Sequence, residues 1–456
     1  METETALSPV PVVAAAEQAP GAAMHALLTR LFPICRSITG QGVRQTLGIL
    51  REYLLGLQVY EVPTGTPAYD WLVPPEWNIR DAYVKNQAGE RVIDFQQNNL
   101  HVVSYSAPVR GWLTRAELLP HLHTLPGQPN LIPYRTSYYA ETWGFCLSHQ
   151  ALLGLDEPGY EVCIDSTLAP GSLTYGELFL PGETTDEVLI SCHICHPSLA
   201  NDNLSGIAVA IFLARYLTRQ PRRYGYRFVF VPGTIGSLTW LSRNADAVTR
   251  IRHGLVATLL GSAGGFTYKK SRRGEAEIDR LVARVLADRG LPHHIQEFSP
   301  YGYDERQYCS PGFNLPVGCL SRTPFGEFPE YHTSADNPEF VRPAALGGAL
   351  ELFQTIVETL EANRRYRNLS PFGEPQLGRR GLYKATGGGP EGAAFQLALL
   401  WVLNLADGHY DLLGMAERSG LRFAQLRQAA EALLAAGLLT DESHPLPANP
   451  AAHDLR

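Results

Sequence analysis

The sequence predicts an α/β fold in which a mostly parallel sheet is flanked by helices. Apolar strand-like segments alternate with amphipathic helix-like segments between residues 172 and 364, and this alternation is typical of parallel sheets. Hydrophobic residues make up 45% of the chain and charged residues 18%, which is ordinary for a globular protein. The 456 residues are enough for this domain and for two smaller ones beside it.

The N-terminal part of the chain changes in composition and residue pattern twice. Residues 1–24 are rich in Ala and Pro and lack a basic stretch, so we predict a disordered tail rather than a signal peptide. Residues 25–58 have apolar positions at helical spacing with a break at residues 39–42, which predicts two helices. Residues 59–165 are rich in Pro, Tyr and Trp and have short alternating runs with a turn signal at Ala88–Gly89. We predict that they form an inserted β-rich domain.

Residues 166–364 are expected to complete the α/β domain that residues 25–58 begin. We predict strands at EVLISCHI, YRFVFVP, GLVATLLG and LPVGCLSR, and helices at LSGIAVAIFLARYLTRQ and EIDRLVARVLADRG. In such sheets, ligands bind beyond the carboxyl ends of the strands. The polar clusters described below follow strand ends, so we expect them to lie together at that edge.

The C-terminal region, residues 365–445, is predicted to be a winged helix. A Gly- and Pro-rich connector is followed by a helix, an Asp-Gly turn, two helices joined by Ser-Gly and an apolar ending. Residues 391–442 contain three Arg and seven Asp or Glu, a poor electrostatic footprint for DNA. We therefore expect this domain to make protein contacts, within the chain or in a homodimer, and to bind no nucleic acid. DNA binding is the weaker alternative.

Charge and composition narrow the function classes further. The net charge of −7 argues against non-specific binding to nucleic acid or to an anionic membrane. No apolar run reaches the roughly 18 residues that a membrane span requires. Seven cysteines without a secretion signal indicate reduced thiols, and hence a cytoplasmic location.

The densest polar cluster is the stretch SCHICHPSLANDNLSG, which follows a predicted strand and precedes a predicted helix. It contains His193, Cys195, His196 and Asp202 within ten residues. Imidazole nitrogen and carboxylate oxygen are ligands that suit zinc. The alternative is that Asp202 only caps the helix and that the histidines make local hydrogen bonds.

Two further clusters follow later in the chain. In EFPEYHTSADNPEF, His332 follows a strand and a short loop, and Asp336 lies four residues on, where it could orient the imidazole. In SPYGYDERQYCSPG, Asp304, Glu305 and Arg306 lie in an aromatic, Gly-rich loop. The alternatives are a helix-capping loop for the first cluster and a local set of salt bridges for the second.

Together these stretches resemble the zinc aminopeptidases that hold two co-catalytic metal ions in an α/β fold. The chain is more specifically similar to bacterial aminopeptidase-like proteins with a β-rich inserted domain and a C-terminal winged helix. Stretches such as DWLVPPEWNIRDAYV and DERQYCSPGFNLPVG carry this similarity over about residues 25–440. The resemblance implies that His193 is the first metal ligand, that Asp202 bridges the metals and that His332 is the last ligand. It also implies that the insert is a protease-associated-like domain.

The chain departs from this family pattern at the residues that carry the chemistry. Gly233 stands where the family has the Glu that takes a proton from the metal-bound water, and Ser262 stands where it has an Asp ligand. Tyr303 replaces the Ser of a Gly-Ser-Asp-Glu stretch. The resemblance therefore implies a degenerate site, with three ligands left for one zinc ion or with no metal at all.

The remaining candidates are assigned around His193, Asp202 and His332. His196 could supplement these ligands or replace His193. Glu305 could replace the lost base, because its loop is expected at the same rim. Asp336 and Asp304 are expected to support the ligands from behind.

Two functions remain open from the sequence. The first is a metal-dependent amide or peptide hydrolase with a single-metal site, acting on a peptide or an amide-containing small molecule. The second is a catalytically inactive pseudo-peptidase that serves as a binding or assembly module in a biosynthetic pathway. Aromatic residues of the insert either cover the mouth of the pocket or form the insert's own core. They are Trp71, Trp77, Tyr138, Tyr139 and Trp143.

Overall fold

The computed structural model describes residues 19–382 and 390–442 of the chain. Within these residues, eight strands form one central mixed sheet. In sheet order the strands are Gln58–Pro63, Ser172–Leu180, Gly225–Val231, Glu187–His193, Ile251–Ala257, Val317–Ser321, Phe266–Lys269 and His293–Gln296. The four strands in the middle are parallel to one another. This result confirms the predicted α/β fold class, with antiparallel pairs added toward both edges.

The central sheet is buried on both faces. In the strand Glu187–His193, Val188 and Ile190 pack into one hydrophobic cluster, and Leu189 packs into the other. Because side chains alternate across a strand, a continuous apolar run fills both layers. The flanking helices are Pro20–Leu31, Gln41–Tyr53, Gly206–Leu217, Ile235–Arg243, Ala245–Arg250, Glu277–Asp288, Glu305–Tyr308 and Pro343–Ala362.

Two boundaries differ from the sequence prediction. Helix Pro20–Leu31 begins inside the segment 1–24 that was predicted to be a disordered tail, and residues 1–18 lie outside the described residues. Gly21 lets this helix pack closely against the start of the helix Pro343–Ala362, since a Cβ on Gly21 would lie 2.1 Å from the carbonyl oxygen of Pro343. The strand Gln58–Pro63 pairs with the central sheet, although residues 59–165 were assigned to the insert. Of its six residues only Val62 is buried, which reflects its place at the sheet edge.

The insert is built on a four-stranded antiparallel sheet within the described residues. In sheet order its strands are Arg91–Asp94, Glu76–Lys85, Gly159–Ala169 and Val109–Thr114. The predicted turn at Ala88–Gly89 joins the first two of these strands along the chain, and Gly89 has a φ of 82°. Two small sheets pair Pro67–Ala68 with Trp71–Leu72 and Leu122–His123 with Phe145–Cys146. Short helices cover Arg115–Leu118 and His149–Leu153.

The C-terminal domain has the predicted winged-helix architecture. Its helices are Pro390–Leu405, Leu412–Ser419 and Phe423–Ala435, and its strands are Arg365–Asn368, Asp407–Asp411 and Leu439–Asp441. The strand Arg365–Asn368 lies in the middle of the small sheet, and this strand was not predicted from the sequence. In the described residues, no helix is long and apolar enough to cross a membrane. All seven cysteines are free thiols.

Candidate metal centre and its adjoining cavity

The candidate site lies at the carboxyl end of the central parallel strands. His193 is the last residue of the strand Glu187–His193 and is fully buried. Asp202 lies in an irregular turn that precedes the helix Gly206–Leu217, and it is also fully buried. The carboxylate of Asp336 fixes this turn by accepting hydrogen bonds from the backbone N–H groups of Asn201 and Asp202, at 2.5 and 3.0 Å. Asp336 thus supports the carboxylate ligand, whereas the sequence suggested that it orients His332.

Three histidines surround the carboxylate of Asp202. Its Oδ1 lies 2.8 Å from His193 Nε2 and 3.3 Å from His196 Nδ1. Its Oδ2 lies 3.0 Å from His332 Nε2. The ligand atoms of His193, His196 and Asp202 all lie within 4.8 Å of one another. The structure therefore brings all four predicted ligands together, with two histidines facing Oδ1 of Asp202 and only His332 facing Oδ2.

The electrostatics of this cluster suit a metal ion. Burial lowers the pKa of His193 to about 4 and also lowers the pKa of His332. Burial alone would raise the pKa of Asp202, but the facing histidines hold it well below its usual value. Neutral imidazoles and an ionised carboxylate are the forms that bind metals. Two histidines and one carboxylate are a ligand set of catalytic zinc sites, which leave a fourth position open.

His332 is held in an uncommon backbone conformation. Its φ of 54° lies in the left-handed region that residues other than Gly rarely adopt. The N–H of Tyr134, which belongs to the insert, donates a 2.8 Å hydrogen bond to the carbonyl oxygen of His332. The ring of Tyr134 also contacts His196 and His332 edge to face, with centroids 5.1 and 5.0 Å apart. The insert thus fixes His332 at the site.

Gly233, the position at which the resemblance predicts a lost base, lies in contact with Tyr303 beside the histidines. Gly233 follows the strand Gly225–Val231 by two residues, and a Cβ on it would lie 1.9 Å from Tyr303 Cε1. The Tyr303 hydroxyl lies 3.2 Å from His196 Nε2, and the ring centroid lies 4.0 Å from that of His193. Burial raises the pKa of Tyr303 well above its usual value, so the hydroxyl stays protonated. A neutral phenol thus covers His193 and His196.

The structure does not bring Glu305 or Ser262 to the metal ligands. Glu305 is fully buried, forms an ion pair with Lys269 and accepts hydrogen bonds from the N–H of Tyr303 at 3.1 and 3.2 Å. Ser262 Oγ lies 3.5 Å from Thr323 Oγ1. Asp304 is fully buried below Tyr303, and this burial raises its pKa to about 7. The loop therefore supplies a phenol to the site and turns its Glu305 carboxylate toward Lys269.

A cavity of about 260 Å³ opens beside His196 and His332. Arg306 lies at its rim. Its aromatic lining residues are Trp71, Tyr134, Tyr138, Tyr139 and Tyr303. In the described part of the chain, no Asp or Glu lines this cavity.

Both alternatives for the insert's aromatic residues are found, each for different residues. Trp71, Tyr138 and Tyr139 line the cavity, whereas Trp77 is buried and Trp143 stacks on His121 within the insert. Tyr134 and the role of Tyr303 were missed. The unusual Gly-Tyr-Asp-Glu stretch carried a signal for Tyr303, since a large ring replaces a small Ser next to the site.

The fold and these residues define an aminopeptidase-like α/β protein with a C-terminal winged helix. The structure matches the zinc aminopeptidase of Bacillus subtilis with a TM-score of 0.55 at 13% identity, covering 75% of this chain and 95% of the other. At this identity the match shows the fold alone. A model described as "winged helix-turn-helix" matches residues 364–441.

The particular family follows from closer matches. The model described as "Domain of unknown function (DUF4910)" matches residues 25–363, and the chain belongs to this family. A Clostridium acetobutylicum protein named "Putative polysaccharide biosynthesis protein with aminopeptidase-like domain" is 50% identical, over 92% of this chain and 96% of its own. The crystal structure of a "putative peptidase" from the same organism matches with a TM-score of 0.88 and 48% identity, over 92% of this chain and 96% of the other.

Proposed function

We propose that this chain is a pseudo-peptidase that holds one zinc ion at His193, His196 and Asp202 and binds a ligand in the adjoining cavity. The observation that carries the proposal is the position of Tyr303, whose ring fills the space that a side chain at Gly233 would enter. The absence of a Glu side chain at position 233 leaves the space that the ring of Tyr303 occupies. With Tyr303 in this place, a carboxylate at position 233 would have no room, which argues against hydrolysis assisted by a base at that position.

The chemistry of amide hydrolysis supports the same conclusion. A bound zinc ion would lower the pKa of a coordinated water toward about 7, and a neighbouring base contributes a further 10²–10⁴-fold in rate. No Asp or Glu of the described residues lines the cavity, and Glu305 is paired with Lys269. An aminopeptidase also needs a carboxylate for the free amino group of its substrate. The cavity offers the Arg306 cation instead.

The name of the Clostridium relative suggests the pathway. We infer that this chain acts in polysaccharide biosynthesis, as a binding or assembly module in the cytoplasm. A small molecule, rather than a nucleic acid, is the expected ligand, because the open cavity lies next to the metal ligands. A homodimer remains a prediction from the sequence.

A one-metal amide hydrolase is the second candidate. It is favoured by the complete donor set of His193, His196 and Asp202 and by the cavity that opens directly beside it. In this case the substrate would be an amide-containing small molecule or a peptide, and turnover would depend on the metal.

Metal content and turnover together test the proposal. We would purify the protein without a His tag, measure zinc by elemental analysis and assay aminoacyl and N-acetyl amide substrates. About one zinc per chain is expected, together with no turnover beyond that of protein treated with a chelator. His193→Ala should lose the metal, whereas His294→Ala, at an exposed histidine in the strand His293–Gln296, should keep it. Zinc-dependent turnover that His193→Ala abolishes would favour the hydrolase, and absence of zinc from the native protein would contradict the proposed site.

A further inference from the structure

We propose that the cavity beside His196 and His332 is a binding site for an anionic monosaccharide unit, held by the guanidinium of Arg306 and by the rings of Trp71 and Tyr139. This inference rests on the proposed function and deepens it by naming the ligand class. It combines the charge, the exposed rings and the size of the cavity.

The charge of the cavity favours an anion. Arg306 is exposed at its rim, and in the described residues its side chain makes no hydrogen bond or ion pair. Asp304, two residues earlier, is fully buried, so its carboxylate does not reach the cavity surface. Since no Asp or Glu of the described residues lines the cavity, an ammonium group would have no counter-charge there. A carboxylate or a phosphate can form two parallel hydrogen bonds with a guanidinium, and such charge-assisted pairs are strong.

Two half-exposed rings at the cavity favour a flat ligand with an apolar face. The side chains of Trp71 and Tyr139 are 47% and 50% exposed, and their ring centroids lie 5.1 Å apart at an interplanar angle of 58°. Exposing such large rings costs free energy in the unbound protein unless a ligand covers them. A sugar ring has one face of C–H groups that can pack on an aromatic ring, and hydroxyl groups at its edge.

The size and polarity of the cavity fit one sugar unit. Its volume of about 260 Å³ lies below the roughly 300–1,000 Å³ of pockets that take drug-sized ligands. The hydroxyls of Tyr134 and Tyr138 lie 3.0 Å apart, and Thr136 also lines the cavity. These hydroxyls can donate hydrogen bonds to sugar hydroxyls and accept hydrogen bonds from them. A neutral apolar ligand would leave the cavity hydroxyls without partners. Because the anionic group of the ligand could be a carboxylate or a phosphate, the test includes one sugar of each kind.

The test titrates sugars into the full-length protein, in zinc-loaded and in chelator-treated form. The probes are glucuronate, glucose 6-phosphate and glucose, each to about 10 mM, with binding measured by calorimetry. We expect at least one of the two anionic sugars to bind at least about tenfold more tightly than glucose.

Arg306→Met should abolish this preference, because the apolar chain of Met keeps much of the side-chain volume without the charge. Arg219→Met, at an exposed arginine in the turn after the helix Gly206–Leu217, is the matched control and should bind like the wild type. Trp71→Ala should weaken binding of the preferred anionic sugar.

The outcomes separate this inference from the proposed function. Preference for glucuronate or for glucose 6-phosphate alone supports the inference and identifies the anionic group. Equal binding of glucose and both anionic sugars, or an unchanged preference in Arg306→Met, would overturn it. Absence of all sugar binding in protein that carries zinc also overturns it and leaves the metal site standing. Binding through Arg306 in protein that takes up no zinc would support the inference and contradict the proposed metal site.

Discussion

The ring of Tyr303 and the backbone of Gly233 are in direct contact, so that a Cβ on Gly233 would lie 1.9 Å from Tyr303 Cε1. Real Cβ atoms do not approach a neighbouring atom this closely. Tyr303 therefore requires a Gly at position 233 as long as the ring stays in place. The contact makes the pair testable by a double-mutant cycle.

Gly233→Ala is expected to destabilise the protein by about 1–3 kcal/mol, the usual cost of inserting an extra group into a packed site. In the Tyr303→Ser background the same change should cost much less, because the space is then free. Chemical denaturation of the four proteins measures the coupling. Gly48→Ala is a matched control in the helix Gln41–Tyr53, where a Cβ meets nothing within 4 Å, and it should stabilise by about 0.5–1 kcal/mol. Additive effects of Gly233→Ala and Tyr303→Ser would contradict the contact.

The arrangement around Asp202 predicts an order among the histidines. His193 and His196 face Oδ1 and form the three-donor group with Asp202, whereas His332 faces Oδ2 alone. We expect His196→Ala to lose zinc as completely as His193→Ala. His332→Ala should weaken zinc binding by only about 10–100-fold, as removal of a supporting partner does. Titration with a competing chelator measures the three affinities, and complete loss in His332→Ala with retention in His196→Ala would place the metal on the other oxygen.

The sequence predicted the fold and the proximity of His193, His196 and Asp202 because both depend on local pattern. Apolar runs such as the one ending at His193 specify buried parallel strands, and residues after strand ends meet at one edge. The role of Tyr303 could not be predicted in this way, since it depends on a contact across 70 residues with Gly233. The direction of Glu305 depends likewise on Lys269, which lies on a separate strand. Long-range pairings of this kind leave no periodic signal in the chain.

The ion pair between Lys269 and Glu305 is expected to be structural. The Glu305 side chain is fully buried and that of Lys269 is 11% exposed, so removing one partner leaves a buried charge. Glu305→Gln should therefore cost about 3–5 kcal/mol of stability and leave the zinc content unchanged. Thermal unfolding and elemental analysis of the same sample check both statements. Glu61→Gln provides a comparison at a more exposed ion pair with Arg44. Lost zinc in a folded Glu305→Gln protein would assign Glu305 to the metal site.

Asp304 is expected to make stability depend on pH. Burial raises the pKa of its carboxyl to about 7, against about 3.9 in an unfolded chain. Below about pH 4 the carboxyl is protonated in the folded and in the unfolded state, so it does not lower the free energy of unfolding. As the pH rises toward 7 the unfolded state alone ionises, so the free energy of unfolding falls by up to roughly 1.4 kcal/mol per pH unit from this group.

Asp304→Asn should make this decline shallower. Denaturation between pH 4 and 8, with a chelator present to remove metal, compares the variant with the wild type. Asp156→Asn, at an exposed carboxylate of the insert, controls for the loss of one charge and should keep the wild-type slope. Parallel curves for the wild type and Asp304→Asn would contradict a buried, protonated Asp304.

The winged helix is docked on the α/β domain by the start of its third helix, Phe423–Ala435. The N–H of Phe423 donates a 2.8 Å hydrogen bond to Asp288, and Arg284 pairs with Asp288 at 2.7 Å while donating to the carbonyl oxygens of Ala416 and Leu421. A winged helix reads DNA with the N-terminal residues of this helix, which are here engaged by the neighbouring domain. We therefore expect no binding to duplex DNA by fluorescence anisotropy.

Arg284→Met should loosen this docking by about 1–3 kcal/mol, because two carbonyl oxygens and the Asp288 carboxylate lose a charged donor. Limited proteolysis should then cut the segment between the two domains faster than in the wild type. Arg427→Met removes only an exposed pair with Glu431 and should change the rate little. If Arg284→Met left proteolysis unchanged, the docking would not depend on this arginine. If it instead created DNA binding, the docking would be masking a recognition helix, and the expectation of a protein-contact domain would be wrong.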